Sequence, residues 1–182
     1  MLTDHNTETI AGIITKRRNR ALDRQGYISL LFRILILILF GWILLSKVFL
    51  ITQMSGNDMF PAMKDGDLII GFRLQQTYMK DDVVVYTVNG ETHVGRIAAR
   101  AADVVTLDDS GTLLVNGTAQ GGEIIYPTYA KENFEYPYTV PENQVFILGD
   151  YRTQTADSRD FGAVSMENVK GKVITILRRR GL

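Results

Sequence analysis

One stretch limits what the rest of this chain can do. Ile28 to Ile51 reads ISLLFRILILILFGWILLSKVFLI. As a helix its 24 residues span roughly 36 Å, against a bilayer hydrocarbon core of about 30 Å. Leucine and isoleucine fall on every face, so such a helix has no polar side to show water. Arg33 and Lys47 lie near the two ends, where long cationic side chains can snorkel to headgroups. A buried core helix is the other use of an apolar run, and the missing polar side favours the membrane. Lys16, Arg17, Arg18, Arg20 and Arg24 precede the run, which by the positive-inside rule puts the N-terminal side in the cytoplasm. No small-residue cleavage site follows, and the run is long for a signal-peptide core, so an anchor is expected. The expected organisation is a basic cytoplasmic tail (1–27), a transmembrane helix (28–51) and an extracytoplasmic domain (52–182).

Charge and composition narrow the function classes. Lys+Arg and Asp+Glu both number 20, so the balance offers no electrostatic footprint for nucleic acid. The chain has no cysteine, which excludes disulfides, thiolate metal sites and a cysteine nucleophile. His5 and His93, the two histidines, are too few and too far apart to suggest a metal site. No metal or cofactor is expected.

Beyond Thr52 the apolar pattern shortens to strand length. The runs are Leu68–Phe72, Asp82–Val88, Thr92–Ala98, Val104–Leu107, Leu113–Val115, Gln144–Leu148 and Lys172–Leu177. Asn89-Gly90, Asp109-Ser-Gly111 and Asn116-Gly117 punctuate them, as in hairpins. Six or seven strands with almost no helical periodicity predict a mainly β, antiparallel, partly closed fold, barrel or sandwich. Residues 119–143 break the pattern with Pro127, Pro137, Pro141, Tyr126, Tyr129, Phe134, Tyr136 and Tyr138. Such an excursion is either an aromatic-stapled surface loop or a partner-binding face. Arg178-Arg179-Arg180 reads as a solvated terminus.

The apolar run leads directly into Met54-Ser-Gly-Asn-Asp-Met-Phe-Pro-Ala-Met-Lys-Asp-Gly-Asp67. Gly56 admits a positive φ, Pro61 fixes its own φ and pushes Phe60 towards an extended conformation, and Lys64–Asp67 forms a second turn. A loop so constrained presents the residue at its tip, Asp58.

This loop resembles the nucleophile loop of the signal peptidase I family, roughly Ser/Glu-Gly-x-Ser-Met-x-Pro-Thr-Leu followed by Gly-Asp. Gly56, Met59, Pro61, Gly66 and Asp67 keep that register, while Asp58 stands where the family has its serine. Thr92–Asp103 is similar to the family's lysine strand, with Arg96, Ile97 and Asp103 in register and Gly95 at the lysine position. Gly111-Thr-Leu-Leu-Val-Asn-Gly117 resembles the family's next hairpin. Gly149–Gly162 resembles Gly-Asp-Asn-x-x-x-Ser-x-Asp-Ser-Arg-x-Phe-Gly, matching at Asp150, Asp157, Ser158, Arg159, Phe161 and Gly162. Tyr151 and Thr155 replace the asparagine and the first serine. The resemblance implies a signal-peptidase-like fold over nearly all of residues 27–177.

A serine–lysine peptidase needs a hydroxyl nucleophile and an unprotonated amine. Glycine has no amine, and a carboxylate without a basic partner is a poor nucleophile towards a peptide. Asp58 and Asp157 as an aspartic dyad, or a displaced lysine such as Lys64 or Lys80, are the routes by which activity could survive. Without them, the expected remainder is a peptide-binding cleft: Gly56, Asn57, Asp58, Met59 and Pro61 from the loop, with Val84, Val94 and Arg96 from two strands whose edges take an extended peptide. Asp150, Asp157, Ser158 and Arg159 are expected to support it, with Asp157 and Arg159 as an ion pair. Aspartate and glycine at these two positions are similar to those in signal-peptidase-like accessory proteins of streptococcal pilus loci. That resemblance implies a membrane-anchored, non-catalytic Gram-positive assembly factor binding pilin or sortase. The alternatives are an active signal peptidase with a displaced or aspartate-based centre, and a non-catalytic signal-peptide-binding regulator of a peptidase.

Overall fold

A computed structural model describes residues 10–121, 124–132 and 134–178, except for the side chains of 11, 14 and 17–23. The readings of His5, of Arg179 and Arg180, and of the arginine side chains at 17, 18 and 20 lie outside that description. The chain divides into two units, residues 1–46 and 47–182.

Helix α1 runs Ile10–Val48. It therefore starts inside the segment read as a tail and stops three residues short of the predicted end. Residues 10–27 contain no proline and several good helix formers, so nothing interrupts the helix there. Its span Arg24–Val48 is long and apolar enough to cross a membrane. At the other end, Phe49, Leu50 and Ile51 leave the helix because a strand partner is available. They pair in β1 (Phe49–Gln53) with Phe72, Gly71 and Ile70 of β2 (Leu68–Phe72). Arg73 covers the exit: its backbone N–H donates to the Val48 carbonyl at 2.9 Å and its Nε to that of Phe49 at 3.2 Å.

The second unit is antiparallel β. After β2 come β3 (Val83–Val88), β4 (Glu91–Arg100), β5 (Val104–Leu107), β6 (Leu113–Val115), β7 (Thr118–Ala119), β8 (Tyr138–Thr139), β9 (Gln144–Leu148), helix α2 (Ser158–Phe161), β10 (Val164–Ser165) and β11 (Val169–Leu177). They form a seven-stranded sheet ordered β1-β2-β11-β3-β4-β9-β10 and a four-stranded one ordered β7-β6-β5-β8. The expected mainly β, antiparallel fold, partly closed barrel or sandwich, takes the form of these two sheets, with β1 and β10 at the two ends of the larger one. Asn89-Gly90 and Asn116-Gly117 each place two consecutive residues at positive φ, the backbone of a two-residue hairpin turn.

Period-two alternation sorts side chains between three apolar clusters. Val84 and Tyr86 on β3, with Ile97, Val145 and Ile147, enter the first. Ala98, Val105, Leu113, Val115, Phe146 and Leu148 fill the second. Val85 and Val94, on opposite faces from their neighbours, join Met54, Met59, Met63 and Ile69 in the third, which underlies the Asp58 loop.

Candidate functional site

The Asp58 loop is closed at its base and pinned from below. The Met54 N–H donates to the Asp67 carbonyl at 2.8 Å, and the Gly66 N–H to that of Met54 at 3.0 Å. Gly56, at φ +81°, donates its N–H to the Asp65 carboxylate at 2.9 Å. The buried Asp67 carboxylate accepts the Lys64 N–H at 3.0 Å. Met54, Met59 and Met63 are all buried, so adaptable thioether side chains fill the space beneath the loop. From the other side, the Asp58 carbonyl accepts the Tyr151 N–H at 2.9 Å and the Thr155 hydroxyl at 3.3 Å. The 54–67 and 149–155 segments are thus sewn together at Asp58.

The Asp58 carboxylate itself makes no hydrogen bond or ion pair among the described residues. Burial raises its pKa above 3.8, His93 acts to lower it, and Asp157 adds to the rise. A carboxyl raised on folding binds its proton more tightly in the native state. Its destabilisation is therefore absent below pH 3.8 and sets in as pH rises towards the native value. Asp58→Asn should accordingly raise Tm at pH 7, with the gain shrinking as the pH approaches 4. Thermal melts across that range check the sign, and a lowered Tm at pH 7 would refute the reading.

Gly95 lies on β4 opposite Val84 of β3. A Cβ there would meet Ile147 Cγ2 at 2.6 Å, the Leu148 carbonyl oxygen at 3.2 Å and Tyr86 Cε1 at 3.2 Å. Tyr86 is held in turn by His93, stacked at 5.5 Å, and Phe161, tilted at 6.3 Å between ring centroids. The space a side chain would need at position 95 is occupied by core and aromatic atoms.

The expected support residues come together as a buried arginine–carboxylate network. Arg159 donates Nε and a terminal nitrogen to the two oxygens of Asp157 at 2.9 and 2.8 Å. Its remaining reach goes to the carbonyls of Arg152 at 2.6 Å and Tyr129 at 3.2 Å. Asp157 also caps α2, with the Asp160 carboxylate accepting its N–H in return. The Ser158 hydroxyl accepts the Ile147 N–H at 2.9 Å, tying α2 to β9. Because both Asp157 oxygens are engaged by Arg159, a proton-sharing dyad with Asp58 has no free face on Asp157.

Three residues expected to line the cleft are placed differently. Val84 and Val94 are buried in the core clusters, because successive residues of an interior strand alternate between two covered faces. Arg96 grips Asp150 through two bonds of 2.9 and 2.7 Å, so it is a structural partner. The expectation of open edges along both strands is also corrected: β3 is paired on both sides, by β4 and β11. On β4 the register with β9 begins at Arg96, so Glu91–Gly95 pair with β3 alone.

Sequence reasoning missed two contributors. Lys131 donates to the Thr155 carbonyl at 2.7 Å and to Asp160 at 2.6 Å. Arg152, fully buried, donates to the Gly149 carbonyl, Thr128 and Gln120, and its burial lowers the guanidinium pKa to about 10. No spacing announces either residue. Lys131 belongs to the 119–143 excursion and Arg152 meets it, so that Thr128, Tyr129 and Lys131 clamp the network, in keeping with a stapled loop. Tyr126 also packs on Tyr151 at 4.7 Å, and Tyr151 on Phe60 at 5.9 Å, extending an aromatic row to the Asp58 loop.

The family model for signal peptidase, peptidase S26, matches residues 26–177. The chain is similar to the probable thylakoidal processing peptidase 2 of Arabidopsis thaliana, 29% identical over 138 residues, covering 67% of this chain and 36% of the relative. It is also similar to signal peptidase I of Bacillus caldolyticus, 28% identical over 135 residues, covering 65% and 74% respectively. The chain thus spans little more than a third of the plant protein. A crystal structure of a signal peptidase I from Enterococcus faecalis V583 aligns with 26% identity and a TM-score of 0.46, covering 55% of this chain and 98% of that one. With the family match running from the apolar helix to the last strand, the chain belongs to the signal peptidase, peptidase S26, family.

Proposed function

We propose that this chain is a membrane-anchored, non-catalytic member of its family, acting as a chaperone or assembly factor for cell-surface pilus polymerisation by binding pilin or sortase. One observation carries the non-catalytic part. By the family resemblance a general-base lysine belongs at position 95, and there Ile147 and Tyr86 already occupy the space. Lys131, the lysine drawn into the support network, is held by the Asp160 carboxylate and the Thr155 carbonyl. The basic residues before the apolar helix support an N-terminus in the cytoplasm and a β domain outside. The pilus role and its partners rest on the resemblance of Asp58 and Gly95 to the accessory proteins of pilus loci.

The relatives are named as peptidases, so proteolysis is the reading the experiment must address. Purified full-length protein is incubated with a signal-peptide-bearing preprotein, and the gene is deleted in a pilus-bearing Gram-positive host. The expected result is no cleavage, together with loss of the high-molecular-mass pilin ladder. Turnover by the wild-type would overturn the non-catalytic reading. A normal ladder would overturn the pilus role, and competition with an active peptidase for preprotein would then identify a signal-peptide-binding regulator.

A further inference from the structure

We propose that Asp58 is the receptor for a cationic side chain, carried on an extended peptide laid along the first half of β4. The inference rests on reading Asp58 as a binding rather than a catalytic residue, and it specifies what that site takes.

Asp58 differs from the buried acids around it. Asp67 accepts a backbone N–H, Asp150 is gripped by Arg96, and Asp157 is gripped by Arg159. The Asp58 carboxylate is half-buried and has no such partner among the described residues. Burying a carboxylate in part without a counter-charge is unfavourable, yet the loop carrying it is held at both ends, underneath by methionines, and at its own carbonyl by Tyr151 and Thr155. The chain thus holds an unneutralised charge in a preset position, and an incoming cation gains without an ordering cost. His93 lies close enough to act on the Asp58 charge, and its Nε2 is 4.0 Å from the Glu91 carboxylate.

The surroundings suit a long cationic side chain. Phe60 packs against Tyr151 on the loop side, and both rings are partly exposed. Aromatic surfaces accept the methylene stem of lysine or the plane of arginine and attract either cation. The peptide backbone has a place as well, because Glu91–Gly95 are paired on one side only, and the exposed or partly exposed Glu91, Thr92 and His93 can add a strand on the other.

The test titrates full-length protein in detergent with three acetylated, amidated pentapeptides, Ala-Ala-X-Ala-Ala, where X is lysine, arginine or norleucine. Calorimetry gives affinity and the Asp58 and His93 amide resonances report location. The expected result is that lysine or arginine binds about tenfold more tightly than norleucine, a difference of about 1.4 kcal/mol, with both resonances shifting. Asp58→Asn should abolish that preference without lowering Tm. Equal binding of all three peptides, or a cation preference that survives Asp58→Asn, would overturn the inference and leave the non-catalytic reading standing. Cleavage of a peptide would overturn that reading itself.

Discussion

Asp58→Ser/Gly95→Lys, which puts a serine and a lysine where the family resemblance expects them, should yield a destabilised protein that does not cleave a signal-peptide-bearing preprotein. The obstacle is at Gly95. A Cβ lies 2.6 Å from Ile147 Cγ2, with Leu148 and Tyr86 atoms at 3.2 Å. Ile147 is fully buried in the first core cluster, so moving it disturbs Val84, Tyr86 and Ile97 together. Overpacking of this kind typically costs about 1–3 kcal/mol, and three further methylene groups and an amine need a path that the Tyr86, His93 and Phe161 rings obstruct. Gly95→Ala alone should show a measurable part of the loss in urea denaturation. Adding Ile147→Ala to the double variant removes the nearest atom, and it is in that triple variant that cleavage should first be sought. An active, fully stable double variant would show that the site tolerates a lysine after all.

Arg159→Ala should be among the most damaging single substitutions in the β domain, lowering stability by about 3–5 kcal/mol. Arg159 and Asp157 have side chains 2% and 0% exposed. Removing the guanidinium leaves a carboxylate buried without a counter-charge, and also strips donors from the Arg152 and Tyr129 carbonyls. The Thr155 segment that holds the Asp58 carbonyl lies between Arg152 and Asp157 in sequence, so damage should reach the candidate site. Arg159→Lys should recover little, because an ammonium cannot reproduce a fork that meets two carboxylate oxygens and two carbonyls. Denaturant unfolding of the three proteins checks this, and a loss below about 1 kcal/mol for Arg159→Ala would contradict it.

The local signals that proved readable are those with a short-range physical cause. Asn-Gly pairs mark the β3–β4 and β6–β7 turns because both residues must take positive φ, and β-rich runs of a few residues between them form strands. The short strands β7, β8 and β10 carry too few residues for a pattern and exist through their neighbours. At β1, apolar continuity pointed to helix, and pairing with β2 decided otherwise. At the site, sequence register singled out Asp58 and Gly95, and the Asp157–Arg159 pair it expected is present. It misplaced Val84, Val94 and Arg96 because strand residues are assigned to a face or a partner by sheets that close over long separations.

What the sequence alone determined is therefore the apolar helix, the hairpins and the constrained loop, since each follows from residue type and near neighbours. Tertiary structure decided the rest. It filled the space at Gly95 with Ile147 and Tyr86, drew Lys131 and Arg152 into the support, and left the Asp58 carboxylate without a hydrogen bond or ion pair among the described residues. Those outcomes depend on side chains tens of residues apart in sequence meeting at one place. Packing and charge pairing are properties of that meeting, and no local pattern encodes them.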